Sequence, residues 1–458
     1  MARAPPAARG RARMIAALPS LEAWWRRLVD SFWFVPGSVA LVYALLAFAL
    51  VRIDRVAGTN GAGVGFGGDA DAARGILSTI AGSLITVAGL AFSLTIVILS
   101  LVSSQFTPRA LPRLLADRVN QVVAGSFIGT FVYCLLVLRT IRAEAGRAPG
   151  FVPGLAVSGS IVLALVALAL LLLFIHHMGQ SVQASQIAAR MGRETLQTID
   201  RIYPGRYGRA PAESGAALVH AWSDQEEPRL VFPTRPGYVQ AVSAEALLES
   251  IDGAGVRLHV AVRPGDFVTE ASVLVAVWSA ETPDDATIRA LRRGIPIASE
   301  RDLRQDAAYG IRQLADVAVK ALSPGINDPT TADTCIGYLR AALERLAGRE
   351  IPGEVLRDPD RQAVVVKRRL TFEEYVDGAY SEIGRYASDN ARLVLAVLDG
   401  LAGIGECART AGAYERTPIV GELARAVAGP ALEQARTERD RALIQDGLER
   451  FEHAVLGG

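Results

Sequence analysis

Cysteine, histidine and lysine are scarce in this chain, and each scarcity removes a class of explanation. Cys134, Cys335 and Cys407 are three cysteines in 458 residues, too few and too scattered for a disulfide framework. None stands at metal-ligand spacing from the five histidines, and no CxxC or HExxH occurs, so no metal site is expected. No Ser-His-Asp or Cys-His constellation and no Walker loop is visible, which argues against an enzyme and against any cofactor. His220, His259 and His453 are isolated along the chain. Lys320 and Lys367 are the only lysines, so the basic residues are nearly all arginine. With 48 basic against 47 acidic residues the net charge is +1, without the dense basic face that a nucleic-acid partner demands. A signal-peptide layout is missing as well, because no short apolar region with a cleavage site directly follows the N-terminal arginines.

What the chain has is apolar length. It is 51% hydrophobic, long enough for a membrane domain plus one or two soluble domains. Four runs read as membrane spans, at about Phe34 to Val51, Ile76 to Val102, Val122 to Leu138 and Leu155 to Ile175. The second organises the rest. No charge occurs from Ile76 to Gln105, and as a helix Ile76 to Val102 extends about 40 Å at 1.5 Å per residue. Thr79, Ser83, Thr86, Ser93, Ser100 and Ser104 recur at helical steps along one face, flanked by Gly82 and Gly89. Such a seam has two readings. It either lets helices pack closely or forms a water-facing wall at the centre of a homo-oligomer.

The flanks of these runs supply orientation. Leu21, Trp24, Trp25, Leu28 and Phe32 fall at helical spacing after a basic, Pro-rich tail, which describes an interfacial amphipathic helix with its indoles among headgroups. Pro108 and Pro112 end the seam helix, leaving Arg109 at the membrane surface. Gly125 and Gly129 have a GxxxG spacing suited to a close crossing. His176 and His177 close the fourth span as an interfacial polar cap; adjacent histidines point about 100° apart and make a poor metal pair. Arginines concentrate in the N-terminus, the second loop and the segment after the fourth span, so both termini are expected in the cytoplasm of a bacterial cell, at the inner membrane. Gly63-x-Gly65-x-x-Gly68 matches a dinucleotide fingerprint in letters only, since it follows a membrane helix and lacks the preceding strand.

The expected organisation is an α-helical membrane domain followed by a cytosolic α+β part. Residues 1–33 form the basic tail and interfacial helix, 34–176 the four-helix transmembrane domain, and 177–203 a helical stalk. Residues 204–298 form a small β-rich unit and 299–458 a helical domain. Gly237-Tyr-Val-x-x-Val and Val262-Arg-Pro-Gly-Asp-Phe-Val268 resemble the two halves of a biotinyl/lipoyl-like module, without a lysine to carry a prosthetic group. Ser299-x-x-Asp302 and Thr371-x-x-Glu374 read as capping boxes, and separate helices are expected over Pro418 to Val427 and Pro430 to Phe451. In Ser323-Pro324-Gly325-Ile326-Asn327-Asp328-Pro329, Gly325 is expected at positive φ, Asp328 as a cap and Pro329 at the first helical position. The same turn also reads as a polar site or subunit contact built on Asn327, Asp328 and Thr331.

Ser103-Ser-Gln-Phe-Thr-Pro-Arg109, Phe174-Ile-His-His177 and Ala321-Leu-Ser-Pro-Gly-Ile-Asn-Asp-Pro329 together resemble the bacterial family of predicted membrane proteins called domain of unknown function 2254. The resemblance runs from about Phe34 to Leu401 and implies the layout without implying a mechanism. No acid or base sits at mid-depth in the four spans, which disfavours an ion-coupled transporter. The first expectation is therefore a homo-oligomeric, channel-like protein for ions or small solutes with a cytosolic regulatory or assembly domain. The alternative is a membrane-anchored sensor or scaffold whose cytosolic domain binds a ligand or protein.

Overall fold

The apolar runs become helices in the computed structural model of the protein, which describes residues 34–58, 65–105, 118–142, 150–181, 183–207, 214–250, 255–280, 282–358, 363–455 and 457. The chain forms two units, Met1–Gln183 and Ala184–Gly458. In the first, α1 spans Phe34–Gly58, α2 Ala70–Gln105, α3 Arg118–Leu138 and α4 Gly154–Ser181. All four are long and apolar enough to cross a membrane. At 36 residues α2 is about 54 Å long, which exceeds a bilayer's hydrocarbon core of about 30 Å.

Helix α3 is the hub, because small residues let its neighbours approach. A Cβ added at Gly125 would stand 2.8 Å from Pro36 Cα, and one at Gly129 would stand 2.9 Å from Tyr43 Cδ2. The GxxxG pair of α3 thus receives the backbone of α1. Phe127, Tyr133 and Val137 are fully buried against the other helices. Leu41, Phe48, Leu165 and Leu172 point outward, as side chains facing lipid would. The ends of the helices are tied together too. The Asp54 carboxylate accepts the Leu155 and Ala156 amides, both at 3.0 Å, and Tyr133 Oη donates to the Ala156 carbonyl at 2.7 Å. Amides at a helix start have no partner of their own, so a carboxylate there meets both the hydrogen-bonding and the dipole requirement.

The second unit opens with α5 (Ala184–Ile202) and α6 (Gly215–Ser223). It continues through β1 (Arg229–Val231), β2 (Gly237–Val239), α7 (Ala244–Glu249), β3 (Arg257–Val260), β4 (Phe267–Val268) and β5 (Val275–Trp278). Next come α8 (Asp285–Arg293), β6 (Ile297–Ala298), α9 (Ala307–Ala321), α10 (Pro329–Ala347), β7 (Val355–Asp358) and β8 (Ala363–Lys367). The helices α11 (Phe372–Ala387), α12 (Ala391–Thr410), α13 (Thr417–Gln434) and α14 (Glu438–Val455) complete it. A five-stranded sheet has the order β1-β5-β3-β8-β7, and a three-stranded sheet has the order β4-β2-β6. Leu258, Val260, Val277 and Val365 face Leu247 of α7 and Leu291 of α8, while Trp222 of α6 joins Trp278 and Val366 in a second cluster. Each fully buried Leu or Val in these layers contributes roughly 1.5–3 kcal/mol. Helix α10 is the core of the helical part and packs on α5, α9 and α12.

Several expectations change here, each for a physical reason. The segment 177–203, expected as a helical stalk, is divided between the two units. Helix α4 runs on to Ser181, and α5 buries Ile187, Met191, Thr195 and Ile199 inside the second unit. The stretch from 299 is not wholly helical, because the β7–β8 hairpin intervenes and β8 pairs parallel with β3. Ser299-x-x-Asp302 caps nothing. Helix α9 starts at Ala307, where Asp306 Oδ1 takes the Tyr309 amide at 2.9 Å and Oδ2 is held by Arg301. Pro430 lies inside α13 instead of starting a helix. It sits on the exposed side with Ala426, so the carbonyl it leaves without an amide can take water. Thr371 and Glu374 do form the expected capping box, with bonds of 3.1 and 2.8 Å.

Candidate functional site

The packed face of α2 is Ala73, Leu77, Ala81, Leu84 and Ala88, all buried. At about 100° per residue the hydroxyl seam lies on the opposite side of the helix. Thr79, Gly82, Ser83, Thr86, Gly89, Ser93 and Ser100 are all exposed on the protomer. Ser104 lies in the last turn of α2, and its side chain is outside the described residues. A Cβ at Gly82 or Gly89 would meet no atom within 4 Å, in contrast to Gly125 and Gly129. Close packing against the protomer's own helices is therefore not what the described seam does. Thr79 Oγ1 donates to the Gly75 carbonyl at 2.7 Å and Thr86 Oγ1 to the Gly82 carbonyl at 2.9 Å. Leu90, Ile96 and Val97 are exposed among the seam positions, so the outward face mixes apolar and hydroxyl groups.

The turn Ser323–Pro329 joins α9 to α10. Asp328 is the N-cap, accepting the Thr330 and Thr331 amides at 3.1 Å and the Thr331 hydroxyl at 2.5 Å, and Pro329 opens the helix. These bonds, led by the Thr331 hydroxyl, hold the Asp328 carboxyl below its ordinary range. The left-handed residue is Asn327, with φ 47°, and not Gly325 as expected. The turn closes through the Asn327 amide on the Ser323 carbonyl, and asparagine tolerates that backbone better than most residues. Pro324, Gly325 and Asn327 are exposed, while the Asp328 carboxylate is committed to the cap.

The membrane-interface residues are only partly described. Trp24, Trp25 and Arg109 lie outside the described residues. His176 is exposed and His177 half-buried near the end of α4. Among the described residues no group of three or more metal-ligating side chains is present. The Gly65 end of the fingerprint-like loop packs against Gly154 and precedes α2, with no strand before it among the described residues.

Sequence reasoning missed a cavity of ≈ 590 Å³ in the second unit. Strands β3 and β8 run parallel, with Val260 opposite Lys367, so both chains leave the sheet at the same end. The residues just beyond them, Val262-Arg263-Pro264 and Arg368-Arg369-Leu370, line the cavity. Arg201, Tyr203, Asp306 and Tyr375 line it as well, brought by α5, the start of α9 and α11. Tyr203 and Tyr375 are buried with their hydroxyl oxygens 3.0 Å apart, and burial pushes both phenols above their ordinary values. One signal was available in the sequence: a β-branched run, Ala363-Val-Val-Val, ending in three consecutive cations, Lys367-Arg368-Arg369.

Comparison with known proteins agrees with the helices. The family model described as predicted membrane protein (DUF2254) matches residues 29–403. Uncharacterized proteins of Mycobacterium bovis and Mycobacterium tuberculosis are 30% identical over 464 residues, covering 98% of this chain and 87% of each relative. No solved structure matches the chain. With four apolar helices of spanning length in the matched region, the chain belongs to the DUF2254 family of predicted membrane proteins.

Proposed function

We propose that the protein is an oligomeric, channel-like membrane protein for ions or small solutes, with the seam of α2 turned toward the symmetry axis and the second unit regulating or assembling it. The observation that carries the reading is the outward seam. Seven hydroxyl or glycine positions of α2 are exposed opposite its packed face. A single protomer has no use for close-approach residues there, whereas facing copies would. The seam's hydroxyls are the groups that an uncharged polar wall requires. The proposal includes a bacterial inner-membrane location with both termini and the second unit in the cytoplasm, supported by the arginine distribution. It assigns no catalysis.

The test uses single cysteines in the Cys407→Ser background, where the other native thiols, Cys134 and Cys335, are buried. Ser83→Cys, Thr86→Cys and Ser93→Cys should react with a charged, membrane-impermeant thiol reagent at least tenfold faster than Leu172→Cys on the exposed face of α4. Equal rates, together with a monomer in nanodiscs, would overturn the reading. A second reading, a membrane-anchored sensor or scaffold, is favoured by the cavity at the ends of β3 and β8. Normal ligand responses from a monomer would select it.

A further inference from the structure

The charge around the cavity departs sharply from that of the chain. Overall the two signs balance, 48 basic to 47 acidic. Arg201, Arg263, Arg304, Lys367, Arg368 and Arg369 line the cavity with a single carboxylate, Asp306, although Arg304 is paired with Asp302 outside the lining. Asp306 is already engaged: it is 4% exposed, caps α9 and is held by Arg301 Nε at 2.9 Å and Nη2 at 2.6 Å. Arg263 also meets Asp266 at 3.2 Å and Glu374 at 3.3 Å, which orients its guanidinium without removing its remaining donors. The buried Nε of Arg369 has no hydrogen-bond partner among the described residues. A guanidinium N–H hidden from water and left unbonded is costly, so an acceptor is expected to reach it.

Two further features define the acceptor. In the Tyr203–Tyr375 pair one hydroxyl donates to the other, which leaves the second proton for another acceptor. Both phenols are held protonated by burial, so they remain donors at neutral pH. Val242, Val262 and Leu370 supply apolar wall beside these donors. A cavity of ≈ 590 Å³ falls within the roughly 300–1,000 Å³ that small-molecule sites occupy. It also opens at the carboxyl ends of the parallel pair β3 and β8, the end of a parallel sheet where ligands gather.

We infer that the cavity between the ends of β3 and β8, α5 and α11 binds an organic phosphate of nucleotide size, its phosphate held by Arg368, Arg369 and the tyrosine pair and its apolar part against Val242, Val262 and Leu370. Arginine suits this role because its planar fork bonds two phosphate oxygens at once. The inference is independent of whether α2 lines a conduit. The shared chemistry is a phosphate on a partly apolar body, which either a soluble nucleotide or a lipid headgroup can present.

Calorimetry on the full chain in phosphatidylcholine nanodiscs, with ATP and with inorganic pyrophosphate as probes, tests it. The expected result is saturable ATP binding that pyrophosphate competes away and that weakens at least tenfold in Arg368→Gln/Arg369→Gln. Tyr375→Phe keeps the ring and removes the donor, and should weaken ATP several-fold while lowering the thermal midpoint only by what one lost hydrogen bond costs. A parallel arm uses phosphatidylglycerol nanodiscs. Loss of ATP binding there, with phosphatidylglycerol retained in native mass spectra of the wild type but not of the double variant, assigns the phosphate site to a headgroup. No binding of ATP or pyrophosphate at millimolar levels together with no retained phosphatidylglycerol, or equal ATP affinity in the wild type and a folded double variant, overturns the inference.

Discussion

Asp54 Oδ2 accepts the backbone amide of Ala156 at 3.0 Å, joining the end of α1 to the first turn of α4. The other oxygen takes the Leu155 amide at the same distance, and Asp54 is only 8% exposed. Asp54→Asn keeps the shape but turns one acceptor into a donor facing an amide. The expected cost is about 1.5–3 kcal/mol, the range for a lost hydrogen bond to a charged group. Thermal unfolding of the full chain in detergent reads it, with Asp71→Asn at an exposed position of the first turn of α2 as the near-silent control.

Arg416 provides the corresponding closure in the second unit. Its Nη1 donates to the carbonyls of Leu346, Ala347 and Arg349 at 3.1, 2.8 and 3.0 Å, capping the C-terminal end of α10. The guanidinium lies 4.9 Å from the centre of the Tyr207 ring and 4.7 Å from that of Phe372. A cation at a helix C-terminus is favourable, and here it is also buried between two π faces. Arg416→Met fills the space but removes the side-chain donor from the three carbonyls, of which Leu346 keeps the Arg349 amide. The expected loss is about 3 kcal/mol, as for breaking a buried charge interaction. Arg416→Lys should recover only part, because one ammonium cannot match the planar stacking.

The Asp328 cap predicts a pH dependence with a definite sign. Its folded carboxyl lies below the unfolded value of about 3.9, because the Thr331 hydroxyl and two amides favour the charged form. Its contribution is therefore complete above the unfolded value and is lost as pH falls through the folded one. Asp328→Ala should cost about 1 kcal/mol near neutrality, the usual size of an N-cap. The wild-type advantage over this variant should shrink below about pH 4, as read by hydrogen exchange of the Thr330 and Thr331 amides. An advantage independent of pH would place the charge elsewhere.

How much of this was legible in the sequence varies with the kind of signal. The four spans were, because apolar runs of that length have few alternatives. Their ends were not. The first span is expected to end near Val51, yet α1 continues to Gly58, with Asp54 bonded to α4 and Arg55 over Phe151. Local caps such as Thr371 with Glu374 could be read in place, since both partners sit within one turn. The cap of α9 could not, because Asp306 gains its role from Arg301 and from burial. The cavity was the least legible feature. It depends on β8 pairing with β3 across more than a hundred residues, and periodicity carries no information at that distance.

The glycines of the membrane unit offer the sharpest separation between folding and assembly. Gly129 has Tyr43 Cδ2 2.9 Å from where a Cβ would stand, so Gly129→Val must push α1 away from α3. Overpacking of this kind costs about 1–3 kcal/mol and should lower the thermal midpoint of the protomer. Gly82 and Gly89 have nothing within 4 Å, so Gly82→Val and Gly89→Val should leave that midpoint nearly unchanged. If copies meet along α2, the same two variants must disrupt the meeting, since a branched side chain replaces the smallest residue on the shared face. Native mass spectrometry from nanodiscs then shows a shift toward smaller assemblies, and liposome flux falls with it. Unchanged assembly in both variants would mean that the outward face of α2 touches only lipid, and the conduit would lose its wall.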